Sequence, residues 1–179
     1  IFFVHQIFRS PGEGGCIRSF YVVEELLRRG HEIILIRSAE SSSNATLNDL
    51  PAKYHKQIEV FFLSEEWTNN LGFGERIYAF LKFLFMARSI SKAKSFDMVY
   101  AISVPLTTGL LAIWTRKPFV FEVGDLWPDV PVEMGILKNP FLKWFSYRLE
   151  KKNKKKARLI ISLSKDIQKH IYRKWPYTA

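Results

Sequence analysis

The chain has 179 residues, of which 47% are hydrophobic and 15% aromatic, so it has enough apolar surface for a packed core, and a disordered chain is excluded. Its single cysteine, Cys16, excludes an internal disulfide bond and fits a reducing compartment. The net charge of +10 is confined to residues 138–174, which hold 13 basic and two acidic residues, whereas the rest of the chain holds 14 basic and 15 acidic residues.

Short apolar segments alternate with segments of helical periodicity along the chain. The pattern predicts strands at 2–7, 32–36, 58–63, 97–103, 119–123 and 159–163 and helices at 17–27, 76–87, 106–115, 141–156 and 165–173. The Ser- and Asn-rich segment 38–48 is predicted to be a mobile loop. The helix at 76–87 is apolar on nearly all sides, which predicts burial or contact with a membrane, but it is too short to span a bilayer. This order of elements predicts an α/β fold with a mostly parallel sheet and helices on both faces.

A glycine-rich turn that contains Gly12, Gly14 and Gly15 follows the first predicted strand. Glycine lets the backbone approach a ligand closely, and the free N–H groups at the start of the next helix attract a phosphate. The same glycines would also serve a tight turn that needs positive φ angles. Ile17 stands where the third glycine of a dinucleotide-binding Gly-x-Gly-x-x-Gly motif belongs. The turn therefore indicates a phosphate site or a structural turn rather than a complete dinucleotide motif.

The end of the second predicted strand bears on the dinucleotide alternative. An NAD-binding domain places an acidic residue there, and this chain has Arg37 and Ser38 instead. That substitution argues against NAD, although an arginine suits the 2′-phosphate of NADP. An NAD(P)-binding domain is therefore kept as a minor alternative.

Polar residues also follow the fourth and fifth predicted strands, where ligands bind in open α/β sheets. Ser103 and Thr107 would cap the following helix or contact a sugar hydroxyl. Glu122 lies inside an apolar strand, where a carboxylate needs either a structural donor or a ligand. Asp125 follows that strand, and Trp127 is either a stacking platform for a sugar ring or a cover for the core. The combination indicates a polar ligand of the size of a sugar.

Other chemistries lack their motifs. The four histidines are scattered and show no metal-ligand spacing with Cys16, so no metal site is predicted. His31 begins a strand and is expected to be structural, whereas His5, near the end of the first strand, is a candidate for ligand contact. The P-loop and Gly-x-Ser-x-Gly motifs are absent, which excludes a P-loop ATPase and argues against an α/β-hydrolase.

Several stretches carry motifs in a recognisable order. They are FVHQIF at 3–8 with the glycines at 14–15, ELLRRGHEI at 25–33, the segment from SVP to glycine at 103–109, PFVFEVGDLWPDVPVEMG at 118–135, and ARLIISLSK at 157–165. Together they resemble the N-terminal domain of family 4 glycosyltransferases of the GT-B fold, in the subgroup that builds capsular, O-antigen or colanic-type polysaccharides. The block at 118–135 is the most specific of them.

The resemblance implies an architecture and a reaction. Enzymes of this family have two Rossmann-like domains facing a cleft, transfer a sugar with retention of anomeric configuration, and need no metal or other cofactor. Residues 1–179 would be the N-terminal, acceptor-side domain, and the C-terminal domain that binds most of the nucleotide-sugar donor is absent from this chain. The fragment alone is expected to be inactive, and the full enzyme would act on a glycan or lipid-linked acceptor.

The resemblance also assigns roles to residues. Gly12, Gly14 and Gly15 would approach the donor diphosphate, and Asp125 and Glu122 would be the catalytic candidates. The acceptor-side candidates are His5, Ser103, Thr107 and Trp127. Many relatives have His or Arg one place before the aspartate, where this chain has Gly124, so the main weight falls on Asp125.

The basic stretch 138–158 contains Phe141, Leu142, Trp144 and Phe145, which add apolar weight on the same predicted helix. It is interpreted as a solvated helix face or as a patch for an anionic membrane, and the absence of a groove-reading motif disfavours nucleic acid. The expected location is the cytoplasm, with peripheral contact to the inner face of the cytoplasmic membrane. A non-enzymatic domain that binds nucleotides or sugars is the alternative to a transferase.

Overall fold

The computed structural model describes residues 1–13, 15–38, 45–63 and 72–176. The chain divides into two compact units, Ile1–Asp97 and Met98–Ala179. The first is called unit 1 and the second unit 2.

Unit 1 contains three parallel strands in the order β3-β2-β1. Their bounds are Phe2–Val4 for β1, Ile33–Ser38 for β2 and Ile58–Leu63 for β3. In the register, Phe3 lies opposite Leu35 and Ile36 lies opposite Phe61. Strand β1 is buried throughout, as expected for a strand of a parallel sheet covered on both faces. The described helices of unit 1 are α1 at Arg18–Arg28, α2 at Ala45–Asp49 and α3 at Phe73–Ala93, with 3₁₀ turns at Pro11–Glu13 and Ala52–Tyr54.

Unit 2 repeats the pattern with parallel strands in the order β4-β5-β6. The strands are β4 at Val99–Ile102, β5 at Phe119–Val123 and β6 at Leu159–Ser162. The described helices are α4 at Thr107–Thr115, α5 at Asp129–Glu133, α6 at Pro140–Lys156 and α7 at Lys165–Lys174. The predicted α/β fold with parallel strands is therefore confirmed.

Strand β1 and the predicted loop 38–48 of unit 1 differ from their predictions. Strand β1 ends at Val4, so that residues 5–7 lie beyond it. Within the segment 38–48, predicted as a loop, residues 45–48 belong to helix α2, while 39–44 fall outside the described residues. A tertiary contact supports this short helix, because the carboxylate of Asp49 accepts a hydrogen bond from Gly12 N at 2.9 Å. A single-turn helix held by a residue 37 positions away leaves no periodic signal in the sequence.

Helix α3 is longer than predicted and has two distinct faces. Ala79, Phe83, Leu84 and Ala87 are buried. Tyr78, Leu81 and Phe85 are exposed. The prediction of burial is therefore correct for one face only. Over the part of the chain that the structure describes, no helix is both long and apolar enough to cross a membrane.

Candidate active site

The carboxyl ends of β1 and β2 carry polar side chains in unit 1. The main chain beyond β1 still follows β2, because His5 N donates to Ile36 O at 3.1 Å and Ser38 N donates to Gln6 O at 2.9 Å. The Gln6 side chain is buried. These two hydrogen bonds therefore fix the main-chain positions of His5 and Gln6 beside β2.

Two polar atoms at this position lack a hydrogen-bond partner among the described residues: His5 Nδ1 and Gln6 Oε1. Burial, and secondarily the charge of Arg37, lowers the pKa of His5 to about 3, so its imidazole is neutral at physiological pH. A buried acceptor without a partner is destabilising. Gln6 was missed by the sequence reasoning, although a polar residue directly after a buried strand is the signal that would have found it.

The glycine-rich turn is fixed by a buried ion pair. The two carboxylate oxygens of Glu13 accept from the guanidinium of Arg37 at 2.5 Å and 2.9 Å, and one of them also accepts from Ser10 N at 2.8 Å. The Arg37 guanidinium lies 5.5 Å from the ring centroids of both Phe8 and Phe62. Burial raises the pKa of Glu13, but the hydrogen bonds from Arg37 and Ser10 outweigh it and leave that pKa below its usual value. Because Arg37 already pairs with Glu13, the alternative in which it binds the 2′-phosphate of NADP is weakened.

The three predicted phosphate-binding glycines have different surroundings. The N–H of Gly12 already donates to Asp49, and a Cβ at this position would lie 3.2 Å from Asp49 Oδ2. Gly15 is exposed and has a φ of +84°, a conformation that favours glycine. Gly14 lies outside the described residues. The structure therefore leaves Gly15, and not the amide of Gly12, open to a ligand.

In unit 2 the loops after β4 and β5 are joined by a hydrogen bond. Gly124 N donates to Ser103 Oγ at 3.1 Å. The prediction that Ser103 or Thr107 caps α4 is wrong, because Leu106 holds the N-cap position without a side-chain hydrogen bond and Thr107 is already the first residue of the helix. The buried Thr107 Oγ1 has no partner among the described residues. Val104, between these hydroxyls, has a φ of +86°, a strained conformation for a β-branched residue.

The two carboxylates singled out in the sequence occupy opposite environments. Glu122 is buried and accepts a hydrogen bond of 2.5 Å from Tyr100 OH, so it has the structural donor that one of the two readings required. The Asp125 side chain is exposed and makes no hydrogen bond or ion pair with the residues that the structure describes. The backbone N–H of Trp127 donates to Asp125 O at 2.9 Å, and the residue is half-buried. Asp125 is therefore the carboxylate that is open to a ligand.

A cluster of charged side chains lies next to this segment and was not predicted. Asp129 accepts from His170 Nε2 at 2.8 Å and from Lys174 Nζ at 2.7 Å. Lys174 Nζ also pairs with Glu150 Oε2 at 2.8 Å, and Lys154 Nζ pairs with Glu150 Oε1 at 2.6 Å. The sequence could not indicate this cluster, because its members are separated by up to 45 positions. Two lysines of the basic run are thus neutralised internally instead of being solvated.

Helix α6 carries exposed aromatic residues near its start. Phe141, Trp144 and Phe145 are all about half exposed or more, and we call them the α6 aromatic surface. Phe141 stacks on Trp144 with 6.0 Å between ring centroids, and the Arg148 guanidinium lies 5.1 Å from the Trp144 centroid. Aromatic and basic groups are therefore adjacent on this helix, as the sequence predicts.

A cleft of about 600 Å³ lies at the opposite ends of the unit 1 strands. Its lining includes Ile1, Ile33 and Ile58, which lie at or next to the amino ends of β1, β2 and β3. Because ligands of parallel α/β sheets bind at the carboxyl ends of the strands, this cleft does not coincide with the candidate site. Over the described residues, no group of three or more His, Cys, Asp or Glu side chains could hold a metal ion. The absence of a metal requirement stays a prediction.

Comparison with solved structures identifies the fold class. A crystal structure of a protein assigned as a UDP-N-acetylglucosamine 2-epimerase from Listeria monocytogenes matches with a TM-score of 0.58 and 12% sequence identity. The match covers 97% of this chain and 41% of that chain, so this chain spans well under half of its structural neighbour. At this identity the likeness shows a shared α/β fold.

The family follows from the sequence comparison. The family model for Glycosyltransferase Family 4 matches residues 17–179, and the chain belongs to that family. The resemblance to family 4 glycosyltransferases is confirmed, whereas the polysaccharide-building subgroup stays a prediction. No curated protein matches the chain.

Proposed function

We propose that this chain is the N-terminal, acceptor-side domain of a glycosyltransferase. The full enzyme would transfer a sugar from a nucleotide-sugar to a glycan or lipid-linked acceptor in cell-surface polysaccharide synthesis, with retention of configuration. Membership of Glycosyltransferase Family 4 supports the reaction class. The observation that carries the proposal is Asp125, an exposed carboxylate two residues after the end of β5 that no described side chain neutralises.

Asp125 would orient the acceptor. A carboxylate is an acceptor-only group when ionised, so it binds a sugar hydroxyl by accepting its proton in a hydrogen bond. The hydrogen bond from Gly124 N to Ser103 Oγ fixes the main chain immediately before Asp125. Holding a reacting hydroxyl in the correct position can lower the barrier by several kcal/mol. Glu122 takes a structural role in this proposal, since Tyr100 already donates to it.

The remaining candidates are given subsidiary roles. In unit 1, the neutral His5 and the unpaired Gln6 Oε1 would bind hydroxyl groups, and Gly15 would offer backbone N–H to the donor diphosphate. In unit 2, Thr107 Oγ1 would hydrogen-bond to a hydroxyl group of the acceptor, and Trp127 would stack on a sugar ring. The roles of His5, Gln6 and Thr107 are supported by polar atoms that lack partners among the described residues.

The test is Asp125→Asn in the full-length enzyme, which keeps the shape of the side chain and removes its charge. We expect the transfer rate to fall by about 100-fold or more, with the melting temperature unchanged because the side chain is exposed and unpaired. Glu122→Gln is the matched control: because Tyr100 already donates to this buried carboxylate, we expect the substitution to lower the melting temperature rather than the transfer rate. An unchanged transfer rate in Asp125→Asn would contradict the proposed role. Nucleotide-sugar binding without any transfer would favour a non-enzymatic binding domain.

We further propose that the α6 aromatic surface and the basic residues of 138–158 rest on an anionic membrane, which would place the enzyme at the cytoplasmic leaflet. Exposed aromatic rings beside Arg148 suit the interface, and lysines attract anionic lipids. We expect co-sedimentation with vesicles that contain phosphatidylglycerol, and loss of it at high salt. Trp144→Ala should weaken this binding, whereas Tyr172→Ala, a comparably exposed aromatic residue on α7, should not. Equal binding to neutral vesicles would contradict the proposal.

A further inference from the structure

The charged cluster around Asp129 connects three helices of unit 2. Asp129 is the first residue of α5, and its carboxylate contacts His170 and Lys174 of α7. Lys174 Nζ lies 2.7 Å from both oxygens of Asp129 and 4.5 Å from the ring centroid of Tyr147 on α6. Tyr147 also hydrogen-bonds to the Asp129 carboxylate. Several donors from two helices therefore converge on one short side chain.

This carboxylate is well enclosed. Its side chain is only 13% exposed, and that of Lys174 is 22% exposed. Although burial raises the pKa of Asp129, the hydrogen bonds from Lys174 and His170 lower it more. Burial and the hydrogen bond to Asp129 raise the pKa of Tyr147 to about 12. Asp129 is therefore ionised and Tyr147 neutral at neutral pH, and both take part in the same set of hydrogen bonds.

The main chain connects Asp129 with the candidate site a few residues earlier. Trp127 N donates to Asp125 O at 2.9 Å, and Val130 N donates to Leu126 O at 2.9 Å. The segment 125–130 is therefore a short run of consecutive turns. Only residues 126–128 separate Asp125 from Asp129, and two backbone hydrogen bonds link this segment, so we expect a displacement of Asp129 to alter the orientation of residues 125–128.

We propose that Asp129 is a positioning residue, which fixes residues 125–128 to helix α7 and so sets the orientation of Asp125 and Trp127 towards the sugar acceptor. This inference rests on the proposed function. Asp129 does not touch the acceptor in this account. Helix α7 acts as its anchor, with Lys174 as the main contact and His170 as the second.

A purely structural role makes a different prediction. If the cluster only stabilised the fold, the loss of any of its buried ion pairs would have the same effect on residues 125–128. Lys154 provides the matched control, because it is buried and pairs with Glu150 at 2.6 Å but contacts neither Asp129 nor residues 125–128 by hydrogen bond or ion pair. Lys154→Met therefore removes a buried ion pair of the same cluster. We expect it to keep the hydrogen bonds from Lys174 to Asp129, because Lys174 still lies beside Glu150 and can neutralise it.

The experiment uses the fluorine resonance of Trp127 as a local probe. The chain has five tryptophans, which can be replaced together by 5-fluorotryptophan, and Trp127→Phe identifies the relevant signal. We expect Asp129→Asn to shift or broaden the Trp127 signal and to leave that of Trp114, on α4, unchanged. Lys154→Met should destabilise the chain without moving the Trp127 signal. An unmoved Trp127 signal in Asp129→Asn, or an equal change in Lys154→Met, would overturn the inference.

A milder variant protects the experiment against misfolding. The His170 side chain is 38% exposed, so His170→Ala removes one donor to Asp129 at low risk to folding. We expect a smaller displacement of the same Trp127 signal, in the same direction as in Asp129→Asn. An unmoved signal in His170→Ala together with an unfolded Asp129→Asn would count against positioning.

Kinetics on the full-length enzyme separate this inference from the proposed function. We expect Asp129→Asn to lower kcat/KM for the acceptor by about 10-fold or more, with KM for the nucleotide-sugar unchanged. A change in both substrates' KM values would contradict a role confined to the acceptor. If the unmodified enzyme shows no transfer, the proposed function fails while the fluorine result still decides whether Asp129 fixes the segment.

Discussion

The two units immobilise the loops after their strands by different means. In unit 1 the anchor comes from the sheet itself, because Arg37 of β2 binds Glu13 of the glycine-rich turn. In unit 2 the anchor comes from a helix, because Lys174 and His170 of α7 bind Asp129. In both units the anchoring charges pair with each other. A neighbouring group that has no charge or no partner among the described residues remains available to bind a ligand. The comparison shows that the partner of a charged residue near a candidate site decides whether that residue anchors a loop or is available to a ligand.

Burial distinguishes these anchors from ordinary ion pairs. The side chains of Arg37 and Glu13 are 1% and 5% exposed, whereas those of Arg29 and Glu25 are 65% and 41% exposed. Both pairs join an arginine to a glutamate over a short distance. Solvent screens the exposed pair, so only the buried one is expected to matter for stability.

The largest expected effect is the loss of the buried anchor in unit 1. Arg37→Ala leaves the Glu13 carboxylate buried without its cation, and we expect the free energy of unfolding to fall by about 3–5 kcal/mol. Arg29→Ala, the matched control, should leave the urea midpoint unchanged. Similar midpoints for the two variants would show that the Arg37 pair does not fix the turn.

A smaller effect is expected from helix packing in unit 2. A Cβ on Gly109 of α4 would lie 2.5 Å from the side chain of Asn153, which is fully buried and donates to Leu106 O at 2.8 Å. We expect Gly109→Ala to cost about 1–3 kcal/mol in thermal or urea unfolding.

Gly74 of α3 in unit 1 provides the control for this substitution, since nothing lies within 4 Å of its Cβ position. We expect Gly74→Ala to be neutral or to stabilise by up to about 1 kcal/mol. Equal effects of the two alanine substitutions would show that the contact with Asn153 does not determine the effect of Gly109→Ala.

The smallest expected effect is a change in pH dependence. The pKa of Glu13 lies below its usual value of 4.5, so its contribution to stability is present above that value and is lost as the pH falls through the lowered pKa. Without Arg37, burial raises the pKa of Glu13, and protonation removes the buried charge. The stability difference between the wild type and Arg37→Ala should therefore be smaller at about pH 4 than at about pH 7. Urea unfolding at both pH values tests this, and a difference that grows in acid would contradict the assigned partner.

Much of the fold could be predicted because the relevant signals are local. The apolar run 119–123 is observed with the predicted bounds as β5, and helix α6 differs from its prediction only by starting at Pro140. The N-cap of α6, Asn139, accepts from Phe141 N at 2.9 Å, which a local sequence signal also allows. Strands and helices of this kind are determined by neighbouring residues and by the period of their apolar positions.

The site was only partly predictable, because contacts over long sequence separations determine which polar residue is free. The sequence by itself established the alternation of strands and helices, the family motifs and the position of Asp125 after a buried strand. It could not show that Tyr100 donates a hydrogen bond to Glu122, that Asp49 accepts one from the amide of Gly12, or that Lys174 donates one to Asp129. Those assignments depend on partners 22 to 45 residues away, which only the tertiary structure brings within hydrogen-bond distance.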